Sequence, residues 1–240
     1  MNMTYSDVLR GSGIQMEIFP NQNIYRSVLP KARYAPWVQD GIFQEVYSKI
    51  RAHTLIDIYR LWELWCLVGE TCHIPGGVLE VGVWRGGSAA LIAHRLAMES
   101  NQKLYLCDTF SGVVKAGSSD SYYRGGEHAD TSREHVVQLL QEIGRKVEIE
   151  ILKGVFPEET GDALSDRIFK LVHIDVDVYQ SAKDVLDFVW PRIPRGGLVV
   201  YDDYGFEECI GVTKHVDEQR GMKDSIVIHN LNGHAIIVKR

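Results

Sequence analysis

The chain has 240 residues, 45% of them hydrophobic and 24% charged, with a formal net charge of −6. Those values describe a globular chain long enough to bury one large core, and they exclude the basic footprint of a nucleic-acid binder. There is no basic amphipathic stretch, no apolar run of about 18 residues, and no charged segment leading into an apolar one at the N-terminus, so no membrane partner and a cytoplasmic location are expected.

The first 40 residues carry Pro20, Pro30 and Pro36 among isolated aromatics, which predicts an extended arm. Its Ile18, Phe19, Tyr25, Val28, Leu29, Tyr34 and Trp37 need an apolar surface to cover, which suits a homo-oligomer, a dimer or tetramer. From Ile42 to Leu67, apolar residues recur at helical spacing and predict one or two amphipathic helices, with Trp62 and Trp65 in the core. Residues 1–70 are accordingly read as an arm and helices that do not fold alone and that serve lid, acceptor and oligomer contacts. Residues 71–240 are read as the core.

After Pro75 the pattern alternates. Strands are predicted at GVLEVGV, KLYLCD, VEIEILKG, FKLVHIDVD and GGLVVYDDY. Helices are predicted near 87–99, 132–144, 179–190 and 206–220, with a short helical piece after the third strand. Five βα units imply a mostly parallel sheet covered on both faces. The end, SIVIHNLNGHAIIVKR, alternates around Asn232-Gly233 and predicts a hairpin whose last strand runs antiparallel to its neighbour. This α/β layout, a seven-stranded mostly parallel sheet with a C-terminal antiparallel hairpin, resembles the Rossmann-like class I S-adenosylmethionine (SAM) methyltransferases.

Ligands of such sheets bind outside the carboxyl ends of the strands. After the first strand, LEVGVWRGGSA lets the chain turn tightly and presents free N–H groups at a helix start. It is neither G-x-G-x-x-G nor a P-loop. After the second strand stands Asp108, placed to accept hydrogen bonds from ribose hydroxyls of either NAD or SAM, or else to cap a turn.

The fourth and fifth strands end in Asp175 and Asp177, and in Asp202 and Asp203. If these strands are neighbours, up to four carboxylates converge on one mouth of the sheet, and their repulsion calls for a hard divalent cation such as Mg²⁺ or Ca²⁺. The bland alternative is that Asp177 caps a helix and Asp203 merely ends a strand. Asp175 and Asp177, two apart on an extended chain, are expected to share a face, with Val176 turned away. His173 reads as a satisfied core histidine, and His215, His229 and His234 show no clustered metal spacing. The cysteines Cys66, Cys72, Cys107 and Cys209 are scattered and read as reduced core or boundary residues.

Together LEVGVWRGGSA, LCDTFSG, GGEHADTS, LKGVFPEET, HIDVDVYQSAKDVLDFVWPRI and GGLVVYDDY resemble the macrocin O-methyltransferase (TylF/MycF-like) family of SAM- and metal-dependent sugar O-methyltransferases. The resemblance spans roughly residues 50 to 220. It implies metal ligands at Asp175, Asp202 and Asp203 for Mg²⁺ or Mn²⁺, and a general base at Asp177. It places SAM against Glu80, Gly82 and Ser88, with Asp108 at the ribose and Asp130 and Thr131 near the adenine. It departs from the family at Val176, where Gly is common. The acceptor implied is a small hydroxylated, sugar-containing molecule. The loop 112–132, rich in Gly and Ser, is expected to act as a lid in which Tyr122, Tyr123 or His128 touch cofactor or acceptor.

An NAD-dependent oxidoreductase would explain Asp108 and the glycine turn but leaves the four strand-end aspartates without work, and no Tyr-x-x-x-Lys set stands in the chain. A metal-dependent enzyme of another reaction, or a non-catalytic SAM-binding protein, would use the same fold.

Overall fold

β-branched and apolar runs alternate with amphipathic helices along the chain, and the computed structural model describes residues 34–99, 102–143 and 147–240. The arm expected before residue 34 lies outside the described residues. Helix α1 (Gly41–Ile50) starts at Asp40, whose carboxylate accepts from Ile42 N and Phe43 N, and α2 (Ile58–Glu70) starts at Asp57, which does the same for Tyr59 N and Arg60 N. Along α2, Leu61, Leu64, Trp65 and Val68 make one buried face. The helical stretch foreseen over 42–67 as one or two helices is two. Residues 51–57 turn the chain between them, and the fold gains two N-caps.

Strand β1 (Gly77–Val81) leads through a glycine turn into α3 (Gly87–Leu96). There follow β2 (Lys103–Asp108), α4 (Arg133–Ile143), β3 (Glu148–Lys153), β4 (Phe169–Ile174), α5 (Tyr179–Val189), β5 (Leu198–Tyr201), α6 (Ile210–Glu218), β6 (Ser225–His229) and β7 (Ala235–Lys239). Among the described residues the seven strands form one sheet in the order β3-β2-β1-β4-β5-β7-β6, with β7 antiparallel to both neighbours. The short helical piece after β3 is a 3₁₀ turn over Gly161–Leu164. Helix α6 is shorter than the foreseen 206–220, because Phe206–Cys209 closes a turn first.

The two-residue period of the strands divides the core. Val78, Leu104, Leu171 and Val200 face α1 to α4, while Leu79, Tyr105, Val172 and Val199 face α5 and α6. Trp65 lies in the first of these cores with Trp62 packed against it. No helix among the described residues is long and apolar enough to cross a membrane.

Candidate active site

Strand order reverses between β1 and β4, so their connections leave in opposite directions and open a crevice above the sheet. A cavity of about 280 Å³ fills it. One wall comes from the ends of β1 and β2: Gly82, Ser88 and Asp108 all line it. Gly82 has φ +88°, and a Cβ there would lie 1.6 Å from the Asp175 carbonyl oxygen, so only glycine lets the chain leave β1 beside the end of β4. The Asp108 carboxylate accepts from Val83 N (2.6 Å), Trp84 N (2.9 Å) and Phe110 N (2.5 Å), which fixes the turn and aims the group at the cavity.

Three other residues foreseen at the cofactor stand elsewhere. Glu80 is wholly buried inside β1, its Oε1 2.9 Å from His173 Nδ1, and it does not reach the cavity wall. Asp130 and Thr131 lie behind the wall. Asp130 accepts from the Trp84 indole at 2.8 Å and pairs with Arg85, and Thr131 Oγ1 bonds Trp84 O. They hold the ring that lines the cavity, a supporting position set by the loop's path and not visible in residue type.

The opposite wall carries the carboxylates. Oxygen atoms of Asp175, Asp202 and Asp203 lie within 4.8 Å of one another, and Asp177, Asp203 and Cys209 make a second such group. Burial, together with the charges of Asp202 and Asp203, pushes the Asp175 carboxyl well above its ordinary range; burial and the charges of Asp177 and Asp202 do the same to Asp203. Asp202 goes the other way. Burial opposes its charge, yet His173 beside it, the hydrogen bond from His234 and the charge of Arg60 hold it below the usual carboxylate range. The donor set is all oxygen, crowded and negative, which fits a hard divalent ion.

Asp175 and Asp177 do not share a strand face. Strand β4 ends at Ile174, and Asp177 takes φ +64°, a left-handed turn residue that Asp tolerates better than most. Its N–H donates to Asp203 Oδ2 at 3.0 Å, and its carboxylate accepts from the Tyr123 phenol and, at 3.9 Å, from Cys209 Sγ. Val176 lines the cavity instead of facing away, because the turn at Asp177 swings it out of the strand's alternation.

Partners that spacing could not reveal complete the site. Arg60, from α2, contacts the Asp202 carboxylate and also donates to Asp202 O at 3.1 Å. His234, from the hairpin loop, places Nε2 2.9 Å from Asp202 Oδ1 and Nδ1 2.7 Å from Glu63 Oε2. His173 is buried as foreseen, but its Nε2 lacks a hydrogen-bond partner. Burial opposes a charge on that ring, yet Asp202 and Glu80 push it up to about 10. The loop foreseen as a lid contributes Val113, Tyr123 and His128 to the wall, and it is tied to α5 through Asp120 to Tyr179 N (2.9 Å) and Ser181 Oγ to Val114 O (3.0 Å).

A crevice at the switch point of a seven-stranded sheet with an antiparallel last strand is the architecture of the class I SAM-dependent methyltransferases. A family model described as macrocin-O-methyltransferase (TylF) matches residues 48–238, and the chain belongs to that family. Among curated proteins it is 28% identical to the 8-demethyl-8-(2,3-dimethoxy-alpha-L-rhamnosyl)-tetracenomycin-C 4'-O-methyltransferase of Streptomyces olivaceus, over 73% of this chain and 71% of that protein. It is 29% identical to the demethyldecarbamoylnovobiocin O-methyltransferase of Streptomyces niveus, over 72% and 70%. Among solved structures, the O-methyltransferase NovP superposes with a TM-score of 0.68 at 26% identity, covering 82% of this chain and 88% of that one. The calicheamicin methyltransferase CalS11 superposes with a TM-score of 0.67 at 15% identity, over 91% and 97%, a likeness of fold.

Proposed function

We propose that this enzyme methylates a hydroxyl of a sugar or sugar-bearing small molecule, with SAM on the β1–β2 wall and a hard divalent ion, Mg²⁺ or Mn²⁺, on the β4–β5 wall. The observation that carries the proposal is the convergence of Asp175, Asp202 and Asp203 within 4.8 Å on the cavity that Gly82, Ser88 and Asp108 also line. The glycosylated acceptors named for the relatives from Streptomyces olivaceus and, as mycinamicin III, Micromonospora griseorubida support the acceptor class.

The chain's own residues divide the work. Asp108 keeps one lone pair on Oδ1 for a ribose hydroxyl, and the free N–H groups at the start of α3, near Ser88, suit the carboxylate end of SAM. Asp175, Asp202 and Asp203 hold the ion, which when bound supplies Lewis acidity to an acceptor hydroxyl. Asp177 takes the hydroxyl proton. Its carboxyl is pushed up by burial, which brings it closer to the basicity that proton abstraction needs, and Tyr123 and Cys209 keep it in one orientation. Alignment of the two reactants and exclusion of water supply the rest.

Methyl transfer from SAM to a panel of glycosides and their aglycones, before and after EDTA treatment and Mg²⁺ restoration, tests this. Turnover of glycosides alone, lost with EDTA and restored by Mg²⁺, is expected. Undiminished turnover in EDTA would remove the ion from the mechanism, and preference for aglycones would remove the sugar.

A further inference from the structure

Below the all-oxygen cluster lies a second group of ligating atoms. His173 Nε2, Asp202 Oδ1 and His234 Nε2 fall within 4.8 Å of one another, and all three residues are buried. Each imidazole is anchored from behind by a carboxylate. Glu80 Oε1 sits 2.9 Å from His173 Nδ1, and Glu63 Oε2 sits 2.7 Å from His234 Nδ1. Glu63 is itself fixed by Asn230 and by Asn232 Nδ2 at 3.2 Å. Carboxylates behind Nδ1 keep a proton there and hold Nε2 facing forward, the arrangement that orients histidine ligands in metal sites, and an ion that binds displaces the Nε2 protons that face Asp202 Oδ1.

The distances decide what stands between the rings and Asp202. His234 Nε2 to Asp202 Oδ1 is 2.9 Å, a normal hydrogen bond, but His173 Nε2 to the same oxygen is 3.6 Å, too long for one, and that nitrogen has no other partner. A single ion with tetrahedral bonds near 2.0–2.1 Å sets its ligand atoms about 3.3 Å apart, between the two observed values. Arg60 engages the other oxygen, Asp202 Oδ2, so Oδ1 stays available. Asp202 also lines the cavity, which gives an ion its way in.

We propose that His173, Asp202 and His234 form a second cation site, of two nitrogens and one oxygen, that takes a divalent ion of the zinc class. Imidazole suits Zn²⁺, whereas Mg²⁺ keeps to oxygen, so the two neighbouring sets select different ions. If Asp202 also serves the all-oxygen set, as the proposed function holds, the two sites compete for it and zinc lowers turnover in Mg²⁺.

The test uses tag-free full-length protein stripped with EDTA and exchanged into saturating Mg²⁺. Zn²⁺ is titrated against a colorimetric chelator. One bound Zn²⁺ is expected, its affinity at least tenfold weaker in His173→Gln and in His234→Gln and no weaker than wild type in Asp203→Asn, where the competing Mg²⁺ set is impaired. Zinc binding that ignores both histidines, or that disappears only in Asp203→Asn, would overturn the site. Because a histidine variant could misfold, X-ray absorption of the zinc-loaded wild type provides a second arm: scattering from two imidazoles is expected, and fewer than two would overturn it. Turnover unaffected by bound zinc would overturn the competition while leaving the site standing, so a failure here is distinguishable from a failure of the Mg²⁺ reading.

Discussion

Asp177 joins two unrelated properties in one residue: a left-handed backbone and a carboxylate aimed at the cavity. Replacing it with Ala would confound them, because Ala resists a φ of +64°. Asn tolerates that conformation, so Asp177→Asn keeps the turn and removes the proton acceptor. A loss of about 10²–10⁴-fold in kcat is expected at saturating SAM, with the melting temperature within a few degrees of wild type. A kcat within a few-fold of wild type would remove Asp177 as the base. Asp202 teaches the opposite lesson. Its truncation would strand Arg60, His173 and His234 in the interior, a cost of about 3–5 kcal/mol, so lost activity in Asp202→Ala would report unfolding as readily as metal loss. Asp203→Asn, whose carboxylate accepts only from Asp177 N among the hydrogen bonds described, isolates the ion's contribution more cleanly.

Among the elements, α6 packs on β5 through a pair that makes its docking sensitive to acid. His215 of α6 is buried, with Nε2 3.1 Å from the Tyr201 hydroxyl of β5. Burial drives its pKa down to about 4 from 6.5, the cost of charging a ring out of water. Between those values the unfolded chain binds the proton and the folded one does not. Stability from this group is therefore complete above about pH 6.5 and is lost as pH falls toward 4, on the order of 3 kcal/mol in all. Tyr201→Phe removes the hydroxyl that a change at His215 would otherwise orphan, so two variants compared in that background differ only at the histidine. Urea denaturation of Tyr201→Phe and of Tyr201→Phe/His215→Leu, from pH 7 to 4.5, should give a smaller acid loss in the double variant. Equal slopes would show that His215 is not what acid unfolds.

At the scale of the molecule, what could be read in the sequence was what periodicity and strand-end position carry. The alternating units from Gly77 onward, the antiparallel end around Asn232-Gly233, and Asp108, Asp175, Asp202 and Asp203 at one mouth of the sheet all follow from local pattern plus the crevice rule. Contacts between distant segments had no local signal. Arg60 meets Asp202 across 142 positions, and His234 reaches Glu63 across 171, so the cationic half of the site stayed hidden while its acidic half was plain. Glu80, beside His173, and Asp130 and Thr131, beside Trp84, show the same limit: nothing in a residue's type says whether it lines a cavity or braces the residue that does.

The two walls of the cavity come from different strand pairs, and that division makes a prediction about the whole fold. Gly82, Ser88 and Asp108 belong to the β1–β2 side and the clustered carboxylates to the ends of β4 and β5, while the sheet joins both to the cores on either face. SAM held on the first wall stabilises every element that cooperates in unfolding, by about 2.7 kcal/mol at a hundred times its dissociation constant. For a chain of this size that corresponds to a rise in melting temperature of about 5–10 °C. If SAM and the ion bind as proposed, the wall that holds SAM contributes no ligand to the ion, so the rise should persist in EDTA and in Asp203→Asn, and NADH should not produce it. Differential scanning calorimetry with each cofactor, with and without Mg²⁺, checks this. A SAM-dependent rise that vanishes with the ion would mean that the two walls bind as one unit and that the metal site is part of the cofactor site.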